Sequence, residues 1–171
     1  PYVCTFPGHG YVMHGILHVT KEKPKDLASK SIDHQKLSVS VPEELEAVLF
    51  SPNTVTPCVA CIGVAPTGEV FAGVDQIGSL GKGAGKGRIV RLIDEDNDGV
   101  HDSYTIFAII DNPRGIVSIG DKLFVLHTKW GAEAKFEGMF LSVLEDKDWD
   151  GVADGPPQTL VSEISTRKFN Q

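Results

Sequence analysis

At 171 residues the chain is long enough for one domain of ordinary size or for pieces of two, and its 41% hydrophobic and 23% charged residues exclude wholesale disorder. A formal net charge of −7 without an arginine-rich stretch argues against nucleic-acid binding, and no apolar run approaches the roughly 18 residues of a membrane span. Three cysteines, two of them in one Cys-x-x-Cys, are too few for a disulfide scaffold, and any export signal is expected to lie outside a chain that opens on Pro1.

The N-terminal piece, residues 1–20, carries the most specific chemistry. It reads Cys4-Thr5-Phe6-Pro7-Gly8-His9-Gly10-Tyr11-Val12-Met13. A strand is expected to end at residue 3 and another to run through 16–19, with a Pro7-Gly8 turn folding the segment between them. A thiolate, an imidazole and a thioether converging on one centre suit copper that cycles between Cu(I) and Cu(II), so Cys4, His9 and Met13 are candidate copper ligands. His14, His18 and His34 read as surface or packing histidines. Residues 21–40 follow as a linker: they hold Lys21, Lys23, Lys25, Lys30 and Lys36 and no aromatic residue, too little apolar surface to repay ordering.

From about residue 41 to 171 the body reads as all-β. Alternating or β-branched runs recur at 61–65, 69–74, 88–93, 103–109, 116–119, 122–127, 139–144 and 159–164, punctuated by Pro66-Thr67-Gly68, Gly120-Asp121 and a glycine-rich loop over 78–87. Residues 42–49 are the best helical stretch, and they are short enough to be a strand instead. Cys58-Val59-Ala60-Cys61 precedes Ile62 rather than histidine, so covalent haem attachment fails, and the strand after it speaks against a thioredoxin-like site; buried thiols or a local disulfide are expected. The glycine-rich loop lacks both the spacing and the following helix of a phosphate loop and reads as a mobile, basic surface loop.

Two short acidic stretches hold 10 of the 23 acidic side chains, and they repeat one another. Leu92-Ile93-Asp94-Glu95-Asp96-Asn97-Asp98-Gly99-Val100-His101-Asp102 lies without a gap over Leu144-Glu145-Asp146-Lys147-Asp148-Trp149-Asp150-Gly151-Val152-Ala153-Asp154, 52 residues on. About four strands fit in that interval, the size of one propeller blade. Two blades do not close a ring, so the body reads as a partial β-propeller. Carboxylates at loop positions one, three, five and nine offer hard oxygen ligands to Ca²⁺, making Asp94, Asp96, Asp98 and Asp102 one candidate calcium site and Asp146, Asp148, Asp150 and Asp154 a second. Position twelve, where an EF-hand places Glu, holds Thr105 or Pro157, so the loops resemble the shorter calcium loops of dockerin-like and thrombospondin-like repeats.

The Cys-Thr-Phe-Pro-Gly-His-x-x-x-Met motif resembles the C-terminal end of a blue-copper cupredoxin of the azurin, plastocyanin and auracyanin type. The resemblance implies that residues 1–20 are the last strands of a cupredoxin β-sandwich, with Cys4 and His9 as equatorial ligands and Met13 as the axial one. It also implies a second equatorial histidine upstream of Pro1, so the site is expected to be a half-site, completed in a longer parent chain or left incomplete. Gly63-Val64-Ala65-Pro66-Thr67-Gly68-Glu69-Val70-Phe71, Gly87-Arg88-Ile89-Val90-Arg91-Leu92, Asp111-Asn112-Pro113-Arg114-Gly115 and Leu123-Phe124-Val125-Leu126-His127 are similar to the propellers of bacterial membrane-bound dehydrogenases related to glucose/sorbosone dehydrogenases.

The expected architecture is therefore a cupredoxin end, a linker and about two blades of an incomplete propeller. The function expected is copper-dependent electron transfer to a redox partner such as a cytochrome, with a periplasmic or extracellular location implied by the two families. The alternatives are a quinone-dependent sugar or alcohol dehydrogenase of which this chain is a fragment, and a calcium-stabilised binding module. No catalytic residue is assigned; His127, at a strand end, reads first as a packing histidine.

Overall fold

A computed structural model describes residues 2–3, 14–15, 40, 42–44, 47–76, 83–162 and 164. The chain divides into two compact units, Pro1–Leu49 and Phe50–Gln171. In the first, β1 (Tyr2–Val3) pairs antiparallel with β2 (His14–Gly15), Tyr2 opposite Gly15 and Val3 opposite His14. The linker expected over 21–40 lies outside the described residues except for Ser40. Within 42–49 the described residues form neither a helix nor a strand: Glu43 and Glu44 make a turn, and 47–49 are irregular. Pro42 and the paired acidic side chains after it favour that turn over a buried strand.

The second unit is all-β. β3 (Val59–Val64), β4 (Val70–Asp75), β5 (Gly87–Ile93) and β6 (Ser103–Ile109) form one antiparallel sheet in chain order. β7 (Pro113–Ile119), β8 (Lys122–Trp130), β9 (Phe136–Glu145) and β10 (Gln158–Val161) form a second, also in chain order. Among the described residues only a 3-10 turn at Ala132–Ala134 interrupts the β pattern, and no helix there is long and apolar enough to cross a membrane. All eight expected strands form. β8 and β9 run further than the hydrophobic pattern suggests, because Trp130 pairs with Phe136 and their rings meet edge to face, centroids 5.7 Å apart, over a turn whose polar residues mask it. β7 starts at Pro113, which an edge strand tolerates because its missing N–H has no ladder partner to lose.

The sheets pack face to face. Phe71, Ile89 and Phe107 of the first meet Ile116, Leu123, Val125 and Leu144 of the second in one core, with Phe71 and Phe107 stacked edge to face. Across the first sheet, Ala72, Val74, Val90 and Leu92 form a second core, covered by Phe50 and Val55 from the segment that leads into β3. The registers show how the repeat stacks. Val70 stands opposite Leu92 in the first sheet, and Leu123 stands opposite Leu144 in the second. Side chains alternate along each strand, so the face that the second sheet turns inward corresponds to the face that the first turns outward. The two sheets are thus stacked head to tail in the same sense. The outer face of the second sheet, with Val117 57% exposed opposite Phe124 and Val161 48% exposed opposite Leu141, corresponds to the inner face of the first.

Candidate metal centres

Cys4, His9 and Met13 lie outside the described residues, as do His18 and His34. The strands that bracket the motif are described. Because Val3 pairs with His14, the segment 4–13 leaves and returns at one antiparallel ladder. The backbone of His14 belongs to that ladder.

Each acidic loop joins the third strand of its sheet to the fourth, and the two repeat down to single hydrogen bonds. Gly99 N–H donates to Asp94 Oδ2 at 3.0 Å, as Gly151 N–H does to Asp146 Oδ2 at 3.0 Å. Val100 N–H donates to Asp98 Oδ1 and Val152 N–H to Asp150 Oδ1, both at 2.8 Å. Glu95 N–H reaches Asp102 Oδ2 at 2.7 Å, and Lys147 N–H reaches Asp154 Oδ2 at 2.8 Å. The sharp turns need left-handed backbone at Asn97 and Trp149 (φ 57° and 61°) and at Gly99 and Gly151 (φ 88° and 85°). Glycine adopts that region without penalty.

Three carboxylates gather in each loop, with one oxygen from each lying within 4.8 Å of the others: Asp94, Asp96 and Asp102 in the first, Asp146, Asp148 and Asp150 in the second. Asp98 and Asp154 are not members of these triplets; like several members, they accept from loop backbone N–H groups. The loops differ at their first aspartate. Asp94 is half-buried, and its Oδ1 accepts from Asp98 N–H at 3.2 Å. Asp146 is 7% exposed, and its Oδ1 is buried with no hydrogen-bond partner. Burial, joined by the Asp150 and Asp148 charges, pushes its carboxyl above the usual aspartate range despite the Gly151 N–H.

The remaining candidates resolve into structural roles. Cys58 and Cys61 are free thiols rather than a disulfide. Cys58 is exposed rather than buried because it occupies a left-handed turn position (φ 51°) ahead of β3, whereas Cys61 packs against the core between the sheets and burial pushes its thiol up to about 11. The described end of the glycine-rich loop is pinned: Gly85 N–H donates to Asp111 Oδ1 at 2.6 Å and Gln76 N–H to Lys86 O at 3.0 Å. His127 is 6% exposed, with Nε2 at 2.9 Å from Ser142 Oγ and its ring near Phe140.

One polar group is assembled only by the fold, although two of its members, Asn112 and Arg114, belong to the 111–115 motif. Asp75, 1% exposed at the end of β4, accepts from Asn112 Nδ2 and lies 3.5 Å from Arg114 Nη1, while Trp130 Nε1 donates to Asn112 Oδ1. These residues are separated by up to 55 positions and meet only because β4, β7 and β8 bring their ends together. No protein-family model, curated protein or solved structure matches the chain.

Proposed function

We propose that the chain is a copper-binding electron-transfer module attached to a dehydrogenase-like β-propeller body whose acidic loops hold calcium. The pairing of Val3 with His14 carries the copper half of this reading, because it closes the segment 4–13 at its base. A thiolate and a thioether at the two ends of that segment, with an imidazole between them, form a donor set suited to one copper ion. Cys4, His9 and Met13 would hold the metal, which supplies a one-electron Cu(I)/Cu(II) change. A redox protein such as a cytochrome is the partner, and the compartment is periplasmic or extracellular.

For the body, two four-stranded meanders stacked in the same sense support successive propeller blades. The clustered carboxylates offer the hard oxygen donors that calcium takes. A second reading, a quinone-dependent sugar or alcohol dehydrogenase in a longer parent, is favoured by the buried Asp75, Asn112 and Arg114 group at the strand ends. Such a group orients polar substrates when it borders a pocket.

A Cu(II) titration read by visible absorption and EPR tests the first reading, on this chain and on a version extended upstream. An intense thiolate-to-copper band in the extended protein, lost in Cys4→Ser, is the expected result. Its absence from both proteins would remove copper from the assignment and leave the body to account for the function.

A further inference from the structure

The two acidic loops are alike inside and different in what they touch. The first reaches back to the segment before β3: His101 N–H and Nδ1 both lie within hydrogen-bond distance of Phe50 O, at 3.0 and 2.9 Å. The second crosses from its own sheet to the other. Thr105 Oγ1, on β6, donates to Gly151 O at 2.7 Å, and Ala153 N–H donates to Phe107 O at 2.9 Å. Arg91, on β5, lies so close over Gly151 that a Cβ there would come within 2.6 Å of its Nη1. Ala153 packs against the core between the sheets. Asp146, the buried first aspartate of this loop, gives one carboxylate oxygen to the cluster it forms with Asp148 and Asp150, and its Oδ1 has no hydrogen-bond partner.

Three carboxylates this close repel one another, and a buried carboxylate oxygen without a partner is costly to keep. A bound divalent cation removes both penalties and fixes the loop in the shape that presents Gly151 O and Ala153 N–H to β6. We propose that the 146–154 loop is a cation-dependent clasp: a hard divalent ion of the calcium class, held by Asp146, Asp148 and Asp150, fastens the second sheet onto the first through Thr105 and Phe107. This rests on the calcium reading of the loop given above. Linkage then requires reciprocity, so that loosening the contact on the first sheet weakens ion binding in the second.

Trp149 sits inside this loop, where the first loop has Asn97, so the part of the tryptophan-to-Tb³⁺ energy transfer that is lost in Trp149→Phe, with Trp130 left in place, reports the second loop. The experiment follows Tb³⁺ emission on excitation at about 295 nm, its displacement by Ca²⁺, and hydrogen exchange of the Ala153 amide with and without Ca²⁺, all on the full chain. Emission is expected in the wild type and lost in Asp146→Asn, with Ala153 exchange slowed at least tenfold by Ca²⁺. In Thr105→Val, which leaves every carboxylate in place, Tb³⁺ affinity is expected to fall about fivefold. Should Asp146→Asn not fold, Asp148→Asn at an exposed ligand is expected to shift emission and Ala153 protection together to higher ion concentration. No Trp149-sensitised emission would sink the calcium reading of this loop and the clasp with it. Emission that depends on the loop carboxylates, with Ala153 exchange indifferent to Ca²⁺ and Thr105→Val binding as the wild type does, would leave the ion in place and overturn the clasp.

Discussion

The sheet β3–β6 is covered on both faces, by its neighbour on one side and by Phe50 and Val55 on the other, whereas β7–β10 is covered on one. Both sheets come from one repeat and put apolar side chains on both faces, so the difference lies in what each face meets. Val117, opposite Phe124, and Val161, opposite Leu141, occupy positions that the stacking covers in the first sheet and leaves exposed in the second. A repeat of this kind specifies a face that fits its own successor, and each sheet alone buries too little to be stable. The acidic loops obey the same rule: the second has the first sheet to lean on, and the first leans on the Phe50 segment.

The largest expected effect contrasts the two faces of one strand. Leu123 of β8 points into the core between the sheets at 2% exposure, and Leu126 points out, half-buried. Leu123→Ala should cost about 2–5 kcal/mol by chemical denaturation, since it removes contacts and leaves a cavity, and Leu126→Ala about 1 kcal/mol. Equal costs would mean that the outer face is packed as tightly as the inner one.

Glycines at equivalent places sharpen the contrast. Gly63 of β3 faces the second sheet, and a Cβ there would stand 2.8 Å from Ile116 Cγ2 and 2.9 Å from Ile116 O. Gly115 of β7, 52 residues on, faces outward, with Leu126 Cβ at 3.7 Å its nearest neighbour. Gly63→Ala should therefore cost about 1–3 kcal/mol, because a backbone oxygen cannot yield without moving β7. Gly115→Ala should be neutral or stabilise by up to about 1 kcal/mol, by restricting the unfolded chain. A destabilised Gly115→Ala would show that something covers the outer face in solution.

Alternation and turn residues made the eight strands and the meander order legible in the sequence, because each strand has one face that must be apolar for the fold to close. The 52-residue interval marked the two acidic loops as equivalent, and each follows the third strand of its sheet. What could not be read was set by contacts between distant residues. Asp75, Asn112 and Trp130 look unremarkable one by one and become a buried polar group only when three strand ends meet. The register within the second sheet carries a one-residue difference: Leu92 maps onto Leu144 at 52 residues, but its partner Val70 maps onto Leu123 at 53. The hairpins between the paired strands differ in length, from Asp75 to Gly87 and from Trp130 to Phe136, and pattern alone does not fix such a register. Cys58 is exposed, against expectation, because it occupies a turn ahead of β3 that lies outside the alternating pattern of the strand.

His127 gives the smallest expected effect and probes the polar end of the same interface. It points inward from β8 like Leu123 and Val125, and Val74 holds the corresponding place on the outward face of the first sheet. Burial, more than the nearby Lys129 charge, holds its pKa below the ordinary 6.5, outweighing the backbone contact with Thr128 that would raise it. A depressed folded pKa means that the unfolded chain takes up the proton first. Its contribution to stability is then fully present above about pH 6.5 and is lost as pH falls through the lower folded value. Denaturation midpoints measured between pH 7.5 and 5 should therefore fall with pH in the wild type. In His127→Gln, which keeps a polar group near Ser142 and carries no titrating ring, the fall should be shallower. Equal slopes in the two proteins would show that His127 is solvated rather than sealed between the sheets. The clasp at the opposite end of the interface would then be left with more of the work of holding them together.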